Sequence, residues 1–116
     1  MAKTATNITT KACIDYLYLI GYKVWRNNNG AVYSVQRKSF LKNPNHLLGV
    51  PDIVGFSRIN GRAIFVEIKT GKDKLSPAQA RFIAEAKESG CIALVVKDSS
   101  DLIEQMAKVN ASDNVG

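Results

Sequence analysis

The chain is poor in reactive side chains: two cysteines and one histidine in 116 residues. Cys13 and Cys91 stand in apolar stretches, with no Cys-x-x-Cys and no Cys/His cluster beside them, so a thiolate zinc site is not expected. They read as reduced core side chains. No run of 18 apolar residues exists, which excludes a membrane-spanning helix. Residues 1–7 lack the apolar stretch of a secretion signal. There is no internal repeat and no low-complexity linker. A cytoplasmic, intracellular protein folded as one domain over 1–116, without a membrane partner, is the expectation.

What is present is a 46% apolar composition, enough for one core, and a basic balance. Sixteen Lys plus Arg against ten Asp plus Glu give a net charge of +6. A basic small protein points to a polyanionic partner, usually nucleic acid. The bases Arg37, Lys38, Lys42, Arg58, Arg62, Lys69, Lys72 and Lys74 fall mid-chain, and the acids gather later.

Ile8, Ala12, Tyr16 and Leu19 or Ile20 recur at helical spacing, so residues 8–20 read as a helix stopped by Gly21. Residues 22–26 and 31–35 alternate and are rich in β formers. Asn27-Asn28-Asn29-Gly30 between them is a hairpin signal. Residues 36–49 are polar and basic and read as a long loop. Residues 52–56 and 62–69 are strands joined by a turn. Ser76-Pro77-Ala78-Gln79 is a helix start with a capping box, its helix buries Ala78, Phe82, Ile83 and Ala86, and Gly90 ends it. A buried strand over 91–96 and a helix from Asp98 or Ser99, packing Leu102, Ile103, Met106 and Val109, complete the chain. The unit from 62 to 96 should be a right-handed crossover between parallel strands. The fold class is α/β, a mixed β-sheet flanked by helices, in the order α-β-β-β-β-α-β-α.

Glu67 and Lys69 are two apart on a strand, so they leave the same face. They close an apolar run, where charges are costly unless paired or bound to metal. If the strands at Asp52 and Glu67 are antiparallel neighbours, partner numbers sum to roughly 119–121 and Asp52 meets Glu67 to Lys69. Two carboxylates and one ammonium then converge. Hard oxygen donors suit Mg²⁺ or Mn²⁺, which lowers the pKa of bound water and neutralises phosphate charge. Lys69 can orient the attacking water or stabilise the transition state. The bland alternative is a surface Glu–Lys pair at a strand end beside an Asp in a turn.

Gly49-Val50-Pro51-Asp52-Ile53-Val54-Gly55, Phe65-Val66-Glu67-Ile68-Lys69 and Leu75-Ser76-Pro77-Ala78-Gln79 together resemble the VRR-NUC family of the PD-(D/E)xK nuclease superfamily. The segment from Tyr22-Lys23-Val24-Trp25-Arg26 through Gly30 resembles the family as well. The resemblance implies a restriction-endonuclease-like fold, a divalent metal and a DNA substrate. Compact stand-alone members of phage and bacterial type are associated with homodimers that resolve four-way (Holliday) junctions. Carried over, Asp52, Glu67 and the Ile68 carbonyl would be metal ligands, Lys69 the catalytic lysine and Gln79 the motif glutamine. Gln79 also reads as a plain helix cap. The function implied is a metal-dependent endonuclease selective for branched DNA. The alternative is a nucleic-acid-binding module with a weakened site.

One departure stands out. The family places a Glu in the first helix, and residues 4–18 contain no Glu. Asp15, or a polar group such as Asn7, substitutes, or a water fills the position, or metal binds more weakly. Nucleic-acid contacts are expected from Arg37, Lys38, Lys42, Lys72 and Lys74. His46 is either a solvated side chain, a phosphate contact or a residue that supports the site from behind its direct ligands. Trp25 reads as core or sheet-face packing, with base stacking the alternative. Tyr18, Trp25 and Tyr33, on the first helix and the hairpin, are the candidate homodimer surface.

Overall fold

The computed structural model describes residues 2–27, 32–34, 36, 39–41 and 47–115. Helix α1 spans Ala2–Leu19 and stops before Gly21, whose φ is 102°. Strand β1 is Tyr22–Arg26, β2 Val32–Ser34, β3 Ser39–Leu41, β4 Ile53–Ser57 and β5 Ala63–Ile68. Helix α2 is Pro77–Glu88, β6 is Ile92–Val96 and α3 is Ser99–Val115.

The α/β class and the mixed sheet stand as read from the sequence. The main sheet has the order β1-β4-β5-β6. β4 and β5 pair antiparallel, and β5 pairs with β6 in parallel across α2, as the strand–helix–strand unit requires.

Two expectations are corrected. First, β1 does not form a hairpin with the next strand. It pairs antiparallel with β4, from Tyr22 opposite Ser57 to Arg26 opposite Ile53. Second, the stretch read as a long loop contains β3, which pairs with β2 in a separate two-stranded sheet. Among the described residues five strands therefore precede α2 rather than four. The reason lies in burial. Pairing with β4 seats Tyr22 and Val24 in the core, which no local turn could do. Gly55 of β4 permits this, because a Cβ there would run into the Lys23 carbonyl and the Val24 backbone.

The two sheet faces are packed differently. On one, Cys13 and Leu17 of α1 and Leu102 and Met106 of α3 close over Tyr22, Val24, Ile53, Ile64, Val66, Ile68, Ile92 and Val96. On the other, Ile83 and Ala86 of α2 cover Ala93, with Phe65, Phe82 and Val95 alongside. The core stripe of α1 is Thr10, Cys13 and Leu17, so Ile8 and Leu19 are exposed rather than inward. Ile103 of α3 is likewise exposed. The α1 stripe read from the sequence holds in part: Tyr16 and Ile20 pack against this core, but its centre runs through Thr10, Cys13 and Leu17. No helix among the described residues is long and apolar enough to cross a membrane.

Candidate active site

Alternation along the strands decides what meets at the end of the sheet. Ile53 and Val66 point into the core and are partners, summing to 119. Asp52 and Glu67, one residue further on each strand, therefore leave by the opposite face, together with Lys69. The backbone of each strand grips the carboxylate of the other. The Ile68 amide donates to Asp52 Oδ2 at 2.9 Å, and the Asp52 amide donates to Glu67 Oε1 at 3.2 Å. Lys69 Nζ lies 3.6 Å from Glu67 Oε2, and its own backbone amide is anchored on the Val96 carbonyl.

The fourth member comes from α2. Ser76 caps that helix, and the Gln79 carbonyl oxygen accepts from the Ser76 amide at 2.8 Å, completing the capping box. The same side chain donates from Nε2 to Glu67 Oε2 at 2.9 Å. One amide thus makes both contacts: its oxygen ties down the helix start, as the capping-box reading expects, and its nitrogen donates to Glu67.

Glu67 is 2% exposed. Burial, then the neighbouring Asp52 carboxylate, push its pKa up to about 7 against the pull of Lys69. Two carboxyls in contact, one buried, form a site whose charge an added cation would offset. The donor set fits a hard divalent ion: Asp52, Glu67 and the Ile68 carbonyl between Glu67 and Lys69. Among the described residues no three His, Cys, Asp or Glu side chains cluster, so side chains alone supply two ligands.

Asp15 does not fill the place of the missing first-helix Glu. It pairs with Lys11 at 2.8 Å on the exposed side of α1. Asn7 lies toward the site end of the sheet, where its Oδ1 accepts from the Arg26 guanidinium at 2.8 Å. Arg26 in turn is the partner of Ile53, next to Asp52.

Two residues that contact the segment around Asp52 carried no role in the sequence reading. Asn27, taken there for a turn residue, donates its amide to the Asp52 carbonyl at 2.7 Å and its side chain to the Pro51 carbonyl. Gly49 has a φ of 82° and lies where a Cβ would strike the Ala78 carbonyl, so the segment entering Asp52 presses on the start of α2. A glycine before Pro-Asp was the available signal, but a turn explains it equally well. Lys72 and Lys74 are exposed in the segment between Lys69 and α2. Arg37, Lys38, Lys42 and His46 lie outside the described residues, as does the Tyr33 side chain. Tyr18 on α1 and Trp25 on the edge strand β1 are both exposed.

A sheet with paired carboxylates and a lysine at adjoining strand ends, braced by a glutamine from the following helix, has the architecture of a PD-(D/E)xK-type nuclease. The family model for the VRR-NUC domain matches residues 24–99, more than half of the chain, and the chain belongs to that family of nucleases. The matched span contains Asp52, Glu67, Lys69 and Gln79 and leaves α1 outside. No curated protein and no solved structure matches the chain.

Proposed function

We propose that the chain is a divalent-metal-dependent endodeoxyribonuclease, acting over 1–116 as one nuclease domain of the stand-alone phage and bacterial type. Its substrate is branched DNA such as four-way junctions. The observation that carries this reading is the convergence of Asp52, Glu67, Lys69 and Gln79 on one sheet face, with Glu67 buried and bonded on both oxygens.

Asp52, Glu67 and the Ile68 carbonyl would hold Mg²⁺ or Mn²⁺, which supplies Lewis acidity at the scissile phosphate. The Ile68 and Asp52 amides fix the two carboxylates, so neither has to reorganise as charge develops. Lys69, 21% exposed, reaches toward solvent, where it orients the attacking water or meets the growing negative charge. Lys72 and Lys74 sit beside it to contact flanking phosphates, and Arg37, Lys38, Lys42 and His46 are assigned the same task. Each such contact steepens the salt dependence of binding by about 0.9 in log–log slope.

A homodimer would give a two-fold junction two cutting sites. Exposed Tyr18, Leu19 and Ile59, at the far end of β1 and β4 from the site, support a surface for it. Two free thiols accord with a reducing compartment such as the cytoplasm.

The test is a gel assay on labelled junctions, flaps and duplexes with Mg²⁺ or Mn²⁺. Cleavage should stop with chelator, and Lys69→Ala should lower it by about 100-fold or more with the fold intact. Full activity in chelator, or in Lys69→Ala, refutes the assignment. The second reading, a binding module with a weakened site, is favoured by the first-helix position. Asn7 there is held by Arg26 and supplies no carboxylate. Metal-independent binding with no cleavage on any substrate selects it.

A further inference from the structure

The sheet face that carries the cluster is only half covered. α2 lies over β5 and β6. Over β1 and β4 no helix among the described residues covers the same face, and two aromatic rings stand on it: Trp25 is 50% exposed and Phe56 40%. Their centroids are 6.5 Å apart at an interplanar angle of 71°, so the edge of one ring props the other. Trp25 is the partner of Val54. Val54 is two residues along β4 from Asp52, which puts the Trp25 backbone roughly 7 Å along and 5 Å across from the cluster. Lys23, exposed, leaves the same face two residues before Trp25, whereas Arg26 alternates to the α1 side, where Asn7 accepts from it.

A core role does not account for a half-exposed tryptophan, since Tyr22 and Val24 on the opposite face already fill the core. An exposed aromatic surface with Lys23 beside it on β1, contiguous with the cluster that holds Lys69, matches the chemistry of a nucleotide: a base for the ring and phosphates for the ammonium groups.

We propose that Trp25, backed by Phe56, is a stacking platform for an unpaired base of the nucleic-acid strand whose phosphate lies at Asp52 and Glu67. The proposal rests on the nuclease reading for the role of the cluster and deepens it by naming a substrate class. In a duplex, base faces are covered by neighbours about 3.4 Å away, so an interior base pair offers the ring nothing to stack on. An unpaired nucleotide at a branch, gap or single-stranded end presents an open face. The platform therefore favours substrates with an unpaired nucleotide beside the cut. Trp25 makes the contact, and Phe56 is the positioning residue that sets the ring's angle.

Trp25 is the only tryptophan in the chain, so its emission reports the contact directly. The full chain, in chelator and low salt, is titrated with oligothymidylate and with a blunt duplex of equal length. Oligothymidylate should quench the emission strongly and the duplex weakly. Trp25→Ala should weaken oligothymidylate binding about tenfold or more and leave duplex binding unchanged. Trp25→Phe should restore most of the loss, and Phe56→Ala should fall between. Equal quenching by duplex, or unchanged oligothymidylate affinity in Trp25→Ala, overturns the platform. Emission that shifts with protein concentration alone, with a doubled mass by light scattering, gives the face to a second copy and overturns it too. Cleavage in Mg²⁺ separates the two readings. Selective quenching without cleavage supports the platform and refutes the nuclease, whereas cleavage with no Trp25 effect does the reverse.

Discussion

The two faces of the main sheet differ in what they bury and in what they leave open. The face under α1 and α3 is a continuous apolar layer, in which Leu17, Ile53, Ile64, Val66 and Leu102 are wholly shielded. The face under α2 is a patchwork: an apolar block over β5 and β6, then Glu67 and its partners, then the open ring pair of β1 and β4. Every polar group of the candidate site is on the second face. Stability and chemistry are thus separated by the thickness of one sheet. A strand such as β5 serves both, sending Ile64, Val66 and Ile68 one way and Phe65 and Glu67 the other.

That separation can be broken by mutation. On the closed face, Ile64→Ala should destabilise by about 2–5 kcal/mol, read by urea or thermal unfolding. Cleavage per folded molecule should be retained. A specific loss of cleavage with little loss of stability would show that the faces are not independent.

Gly49→Ala tests the join between the faces. It places a Cβ against the Ala78 carbonyl at a positive φ, so about 1–3 kcal/mol of stability is at stake. Because the start of α2 must shift, Gln79 moves with it, and cleavage should drop by about tenfold or more. Retained cleavage would mean that α2 does not position Glu67.

The two duties of Gln79 can be divided. Ser76→Ala removes the cap, costs about 1 kcal/mol and should leave cleavage unchanged in the folded protein. Gln79→Glu keeps an acceptor for the Ser76 amide but loses the donor to Glu67 and sets a like charge beside it. Cleavage should fall about tenfold or more in that variant. If the two variants differ only in melting temperature, Gln79 is a cap alone.

The smallest effect concerns the cysteines. Burial, and then Asp98, raise the Cys13 thiol to about 11, so near pH 8 it holds almost no thiolate. Cys91 is partly exposed at the start of β6. One thiol should react quickly with an aromatic disulfide reagent in the native protein, and the second only on unfolding. Two fast thiols would show that the closed face opens readily.

The pairing of Asp52 with Glu67 was legible in the chain because antiparallel register follows from a short turn and from alternation, both local. The start of α2 was legible for the same reason, since Ser76, Pro77 and Gln79 cap within one turn. The partner of β1 was not. Asn27 to Gly30 offered a nearby hairpin, and only the shared core of Tyr22 and Val24 with Ile53 shows why a strand almost thirty residues away wins. The stripe of α1 was legible only in part: Cys13, Tyr16 and Ile20 lie on or against the core as read, whereas Thr10 is inward by position rather than by hydrophobicity and Ile8 is exposed.

By itself, then, the sequence determined the α/β class, the family, the strand carrying Glu67 and Lys69 and the capped helix behind it, since these depend on residue type and on spacings shorter than a strand pair. Tertiary structure alone decided that Gln79 spans cap and carboxylate, that Asn27 and Gly49 brace Asp52, that Asn7 goes to Arg26, and that Trp25 faces outward beside the site. Each of these joins residues distant in the chain. Which of them meet is set by the packing of helices on a sheet, and no local pattern encodes that.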